Sequence, residues 1–99
     1  MIRHAVLFKL QEFESNAAKN DKMNELKSAL EALPAKIDVI KRLEVGLNIN
    51  PAEEFDIALM VDVDSLETLD IYNQHPEHVA VSKILRPVLT SRSCVDYIM

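Results

Sequence analysis

Apolar and polar positions switch four times between a two-residue and a three-to-four-residue period, and the switches divide the chain into β-α-β-β-α-β. Ile2 to Leu10 alternates, with Ile2, His4, Val6, Phe8 and Leu10 on one face and Arg3, Ala5, Leu7 and Lys9 on the other, so a first strand is predicted. Gln11 to Asn20 reads as a polar connection. Asp21 to Leu33 then places Met23, Leu26, Leu30 and Leu33 on one helical stripe, and Pro34 stops the helix. Val39 to Asn48 predicts a second strand, and Phe55 to Val63, the most regular alternation, a third. Ser65 is placed as the N-cap of a helix reaching about Asn73. His75-Pro76 interrupts that helix and starts another through Val79, Ile84, Leu85 and Leu89, with Pro87 kinking or ending its last turns. Ser93 to Met99 closes as a fourth strand.

This order suits an α+β, ferredoxin-like protomer: a four-stranded antiparallel sheet with helices on one side. Helices on one side leave the other face open, and an open face is ordinarily polar. Here it is not, since Ala5 and Leu7 on the first strand and Ala58 and Met60 on the third point away from the helices. Burying three or four such side chains is worth roughly 1.5–3 kcal/mol each as an upper bound. A homodimer with packed sheets, forming a dimeric α/β barrel, is the simplest way to cover them.

Composition narrows the partners. Of 99 residues, 48% are hydrophobic and 27% charged, as in a single globular domain, 1–99. Eleven Lys and Arg against sixteen Asp and Glu leave a net charge of −5 and no basic stripe, so no nucleic acid is expected. No apolar run approaches the roughly 18 residues that cross a bilayer, and no membrane partner is expected. The apolar stretch in MIRHAVLFKL is too short for a signal-peptide core, and the single Cys94 can form no internal disulfide; the cytoplasm is the expected compartment.

The chemistry concentrates in Tyr72-Asn73-Gln74-His75-Pro76-Glu77-His78. With Pro76 at the first helical position, His75 is the cap and His78 sits in the first turn, where the helix dipole favours a neutral imidazole. A neutral His78 as base and Tyr72 as hydrogen-bond donor suffice for enolisation or aldol-type chemistry without a cofactor. His4, on the bulky face of the first strand, is placed to point into the same space. Each also has a structural reading: a capping histidine, a satisfied lining histidine, a core tyrosine with a wet tip. His75 and His78 at i,i+3 with His4 are weak as a metal set, and none is assigned. One glycine in the chain leaves no phosphate loop, and Cys94 reads as an inert small hydrophobe.

Ile2-Arg3-His4-Ala5-Val6-Leu7-Phe8-Lys9-Leu10, Leu33-Pro34, Asp62-Val63-Asp64-Ser65-Leu66-Glu67, the Tyr72 to His78 run and Val95-Asp96-Tyr97 together resemble the stress-responsive dimeric α/β-barrel (Dabb) domain family. The resemblance spans essentially the whole chain. It implies a ferredoxin-like protomer and a homodimer. Its plant members include stress-linked proteins and a polyketide cyclase, in which the tyrosine and second histidine of the run act as acid/base groups. Tyr72 and His78 match those positions, and His4 matches a cavity histidine. Leu26 stands where the cyclase type has a second tyrosine and Ile57 where it has a histidine, so the implied pocket is more apolar. The expected ligand is a small apolar or aromatic molecule touching His4, Val6, Phe8, Leu26, Ile57 and His75. A non-catalytic stress-related or interaction protein is the main alternative, and the related monooxygenase barrels suggest a cofactor-independent oxygenase as another. The resemblance alone does not make the protein an enzyme, and it implies no cofactor.

Overall fold

The computed structural model describes residues 1–99. Four strands, β1 (Ile2–Leu10), β2 (Arg42–Leu47), β3 (Ile57–Val63) and β4 (Leu89–Ile98), form one sheet in the order β2-β3-β1-β4, with every neighbouring pair antiparallel. Helices α1 (Asn16–Glu31), α2 (Leu66–Gln74) and α3 (Pro76–Leu85), with short 3₁₀ turns at Leu33–Ala35 and Arg86–Val88, complete the ferredoxin-like fold.

The alternation in β1 is realised as written. His4, Val6, Phe8 and Leu10 are buried, and with Ile57, Leu59, Val61 and Val63 of β3 they form the floor of the core. Met23, Leu26 and Leu30 of α1 and Leu69 and Tyr72 of α2 form its roof. Leu33 and Ile37, beyond the end of α1, fill the same core at 1% exposure each.

Local chemistry sets the helix ends. The Ser65 hydroxyl accepts from the Thr68 amide at 3.2 Å while the Thr68 hydroxyl accepts from the Ser65 amide at 2.9 Å, a reciprocal cap at the start of α2. His75 is extended (φ −62°, ψ 135°), as the residue before a proline prefers, and so separates α2 from α3. Its Nδ1 accepts from the Glu77 amide at 3.1 Å, making it the N-cap of α3.

Several boundaries differ from the sequence expectation: β2 begins at Arg42, not Val39, β3 begins at Ile57, not Phe55, and two differences are larger. α1 begins at Asn16, not Asp21, capped by Ser15, whose hydroxyl accepts from the Ala18 amide. Asn16, Ala17 and Asn20 are exposed and the first turn carries no apolar stripe, so periodicity misses it. β4 begins at Leu89, not Ser93, because α3 ends at Leu85 and Pro87 lies in the 3₁₀ turn that follows. Its early residues, Thr90 to Arg92, are polar on both faces because β4 is an edge strand.

The second face of the sheet carries no helix. Leu7, Val95 and Tyr97 lie there 39%, 58% and 43% exposed, beside half-buried Ala5, Ala58 and Met60. Among these apolar groups sits one bidentate ion pair, with Arg3 donating from Nε and an η nitrogen to the two Asp62 oxygens at 2.8 and 3.0 Å. That pair holds the Asp62 carboxyl below the usual carboxylate range and the Arg3 guanidinium above its ordinary value.

Candidate functional site

On the covered face, α3 and the 3₁₀ turn after it border a cavity of about 250 Å³ together with residues of β1, β3 and β4. Its apolar wall is Val6, Phe8, Leu30, Leu59, Val81, Leu85 and Leu89, and its polar lining is His4, Tyr72, Asn73, His78, Ser82, Arg86 and Arg92.

Each polar group is placed by its element. β1 projects His4 inward, and the β1–β4 register sets Asp96 opposite it. His4 Nδ1 donates to Asp96 Oδ1 at 2.5 Å, which fixes the ring and leaves Nε2 free. The end of α2 brings in Tyr72, fully buried, and the first turn of α3 brings in His78, half-buried, with ring centroids 4.5 Å apart. His4 meets the Tyr72 ring edge-on at 6.3 Å. The three aromatic side chains named from the sequence therefore stand in one row, His4, Tyr72, His78.

Protonation follows from partners. A backbone carbonyl only accepts, so His78 Nδ1, 2.9 Å from the Asn73 carbonyl oxygen, carries the hydrogen and Nε2 carries the lone pair. Burial pushes the His78 pKa down, opposed by the Asn73 bond and aided by the nearby His4 and Arg92. The direction is the one expected from the sequence, but loss of water comes first among its causes. Burial pushes the Tyr72 phenol up, only partly offset by Arg92, so it remains a donor across the ordinary pH range. Its hydroxyl is buried and has no hydrogen-bond partner within the chain.

Three of the residues assigned to the ligand lie elsewhere. Leu26 and Ile57, each 1% exposed, are packed into the core and do not border the cavity. His75 spends its Nδ1 on the α3 cap and does not border it either. Val6 and Phe8 do line it.

Arg92 and Asp96 were given no role from the sequence. The signal was their spacing: Arg92, Cys94 and Asp96 alternate along β4 and pair with Phe8, Val6 and His4, which puts them on the cavity side once β4 is extended back to Leu89. Cys94 Sγ lies 3.4 Å from His4 Nδ1 and 3.7 Å from Asp96 Oδ1, so nitrogen, sulfur and oxygen donors converge within 4.8 Å. Two ligands of a tetrahedral ion at about 2.0–2.1 Å stand roughly 3.4 Å apart. The 2.5 Å between Nδ1 and Oδ1 is a hydrogen bond, not an edge of such a site. Burial and the neighbouring Asp96 push the Cys94 thiol up, away from a reactive thiolate.

A one-sided antiparallel α+β sheet with a cavity lined by histidine and tyrosine beneath it defines a small ferredoxin-like protein. The chain belongs to the stress responsive A/B barrel domain (Dabb) family, whose model matches residues 2–99. It is similar to a dimeric protein of unknown function and ferredoxin-like fold from Bacteroides fragilis, at 50% identity and TM-score 0.93, over 99% of this chain and 95% of that one. A dimeric ferredoxin-like protein of unknown function from Thermobifida fusca is 29% identical with TM-score 0.84, over 99% and 90%. A hydroxynitrile lyase from Passiflora edulis shares the fold at 16% identity and TM-score 0.81, over 99% and 92%. A comparison with curated proteins gives no match. No helix is long and apolar enough to cross a membrane.

Proposed function

We propose that this protein is a cytoplasmic homodimer, each protomer a single domain that binds a small apolar or aromatic molecule in its cavity and acts on it by acid/base chemistry without a cofactor. The dimer is supported by the apolar open face and by the two relatives described as dimeric. The free thiol of Cys94 suits a reducing compartment.

The chemistry rests on one observation. A neutral imidazole with its Nε2 free stands beside a phenol whose buried hydroxyl has no partner, and both border one cavity. On a bound ketone, His78 Nε2 takes a proton from the carbon next to the carbonyl. The C–H electron pair moves into a new C=C bond, and the carbonyl π pair moves to oxygen. Tyr72 donates a hydrogen bond to that oxygen as charge develops there. Reprotonation at carbon, or attack of the enolate carbon on a second carbonyl, completes an exchange or an aldol-type closure. His4, held by Asp96, orients the oxygen. A fold alone does not assign an activity, so the lyase of the same fold is not part of this support.

The test is deuterium exchange at the α-carbon of small aryl ketones in D₂O, followed by NMR. The native dimer should accelerate exchange, and both His78→Gln and Tyr72→Phe should remove most of that acceleration. The rate should be flat near neutral pH and fall only below the ordinary histidine value of 6.5, because the His78 base is lost on protonation and its pKa is depressed. Exchange no faster than in the two variants would overturn the catalytic reading, and ligand binding without exchange would leave a non-catalytic binding protein in its place.

A further inference from the structure

The charges around the cavity run against those of the chain. The protein carries sixteen acidic and eleven basic residues, yet no Asp or Glu is among the 14 residues that line the cavity, while two arginines are. Those two are also the unpaired ones. Arg3 is bound to Asp62 and Arg42 to Glu44, whereas Arg86 and Arg92 have no carboxylate within 4.0 Å. Asp96, on the same side of β4 as Arg92, is occupied by His4 Nδ1.

Arg92 comes from β4 on the cavity side of the sheet, opposite Phe8, and Arg86 from the turn after α3, so the two cations approach the opening from separate elements. Arg92 borders the same cavity as Tyr72 and His78, and its charge lowers the pKa of each. Deeper in, the Tyr72 hydroxyl is a buried donor with nothing to donate to. A buried donor left unpaired is costly, and a guanidinium is shaped to take a carboxylate in two parallel bonds.

From this arrangement we propose that the cavity is selective for a small organic anion, a monocarboxylate on an aromatic ring or short branched chain, with Arg92 and Arg86 as the residues that determine that preference. The inference rests on the cavity reading above and narrows its ligand class. The carboxylate meets the arginines, and the apolar body lies against Val6, Phe8 and Leu59. At about 250 Å³ the cavity is smaller than the roughly 300–1,000 Å³ of drug-sized pockets, which limits the body to about one ring.

Calorimetric titration of the native dimer with phenylacetate, its neutral isostere phenylacetamide and the cation phenethylamine tests this. Phenylacetate should bind at least tenfold tighter than phenylacetamide, and phenethylamine should show no heat. Arg92→Gln should erase most of that tenfold preference without changing the amide affinity, and Arg92→Lys should restore part of it. Arg86→Gln should have the same effect to a smaller degree. Both arginines are exposed, so these variants should fold, which circular dichroism checks. Equal affinity for acid and amide, or a preference unchanged in both glutamine variants, would overturn the anion selectivity and leave the cavity reading standing. Binding of none of the three would also overturn the anion selectivity, and the exchange of aryl ketones would then decide the cavity reading separately.

Discussion

The two faces of the sheet are built from the same strands, and they break the usual division of labour in opposite ways. Along β1 and β3 the covered face is apolar except for one histidine at 5% exposure, and it looks onto a tyrosine at 0%. The open face ought to be polar, yet it exposes Leu7, Val95 and Tyr97 around a bidentate ion pair. Each exception has a cost that folding of the monomer does not require: buried polar groups lose water, and exposed apolar groups order it. The residues that run against their face are therefore the ones on which the proposed site and the proposed interface rest.

The largest effect that sharpens this contrast is Ile57→Ala. Ile57 is packed at 1% exposure on the covered face and does not border the cavity, so its truncation should cost about 2–5 kcal/mol in urea denaturation. Ligand affinity, measured where the variant is still folded, should stay within twofold of the native protein. A loss of affinity with unchanged stability would return Ile57 to the site and erase the boundary between core and cavity.

The open face is tested by Leu7→Asp. Leu7 is 39% exposed in the protomer, and a charge there would be nearly neutral if water were its native surroundings. Against a second sheet it should weaken the dimer at least tenfold, about 1.4 kcal/mol, and shift the mass seen by light scattering toward 11.2 kDa. A variant with the same mass and the same dilution profile as the native protein would mean that this face is not the contact.

Which parts of this were legible in the sequence follows the same physics. β1 shows its two faces directly because one of them is fully buried, and His75-Pro76 marks the α2–α3 break because proline constrains both itself and its predecessor. The start of α1 and the first half of β4 were not legible, since exposed turns and edge strands place few demands on side-chain polarity. The site divides likewise. His4, Tyr72 and His78 were found because two of them fall in one short run and the third interrupts an otherwise apolar strand face. Arg92 and Asp96 needed the strand register, which no local pattern carries. Leu26 and Ile57 were assigned by resemblance to positions that are polar in a cyclase. With apolar side chains those positions join the core, where transfer from water favours them.

The smallest expected effect is the most discriminating one, Tyr72→Phe. If Tyr72 were a structural anchor, its hydroxyl would have a bond to lose, and the substitution would cost about 0.5–1.5 kcal/mol. The hydroxyl is instead buried with no partner in the chain, so its removal takes away a desolvated group and leaves the ring packing against His4 and His78 unchanged. Stability of the unliganded protein should therefore stay within about 0.5 kcal/mol of the native value, or rise, while affinity for a small aryl ketone, whose carbonyl oxygen is the acceptor proposed for Tyr72, falls. Losing stability and affinity together would show the hydroxyl bonded in solution, with the tyrosine part of the scaffold. Losing affinity alone would show a donor held in reserve for whatever enters the cavity, a role a polar group buried at 0% exposure can fill only when the ligand supplies its missing partner.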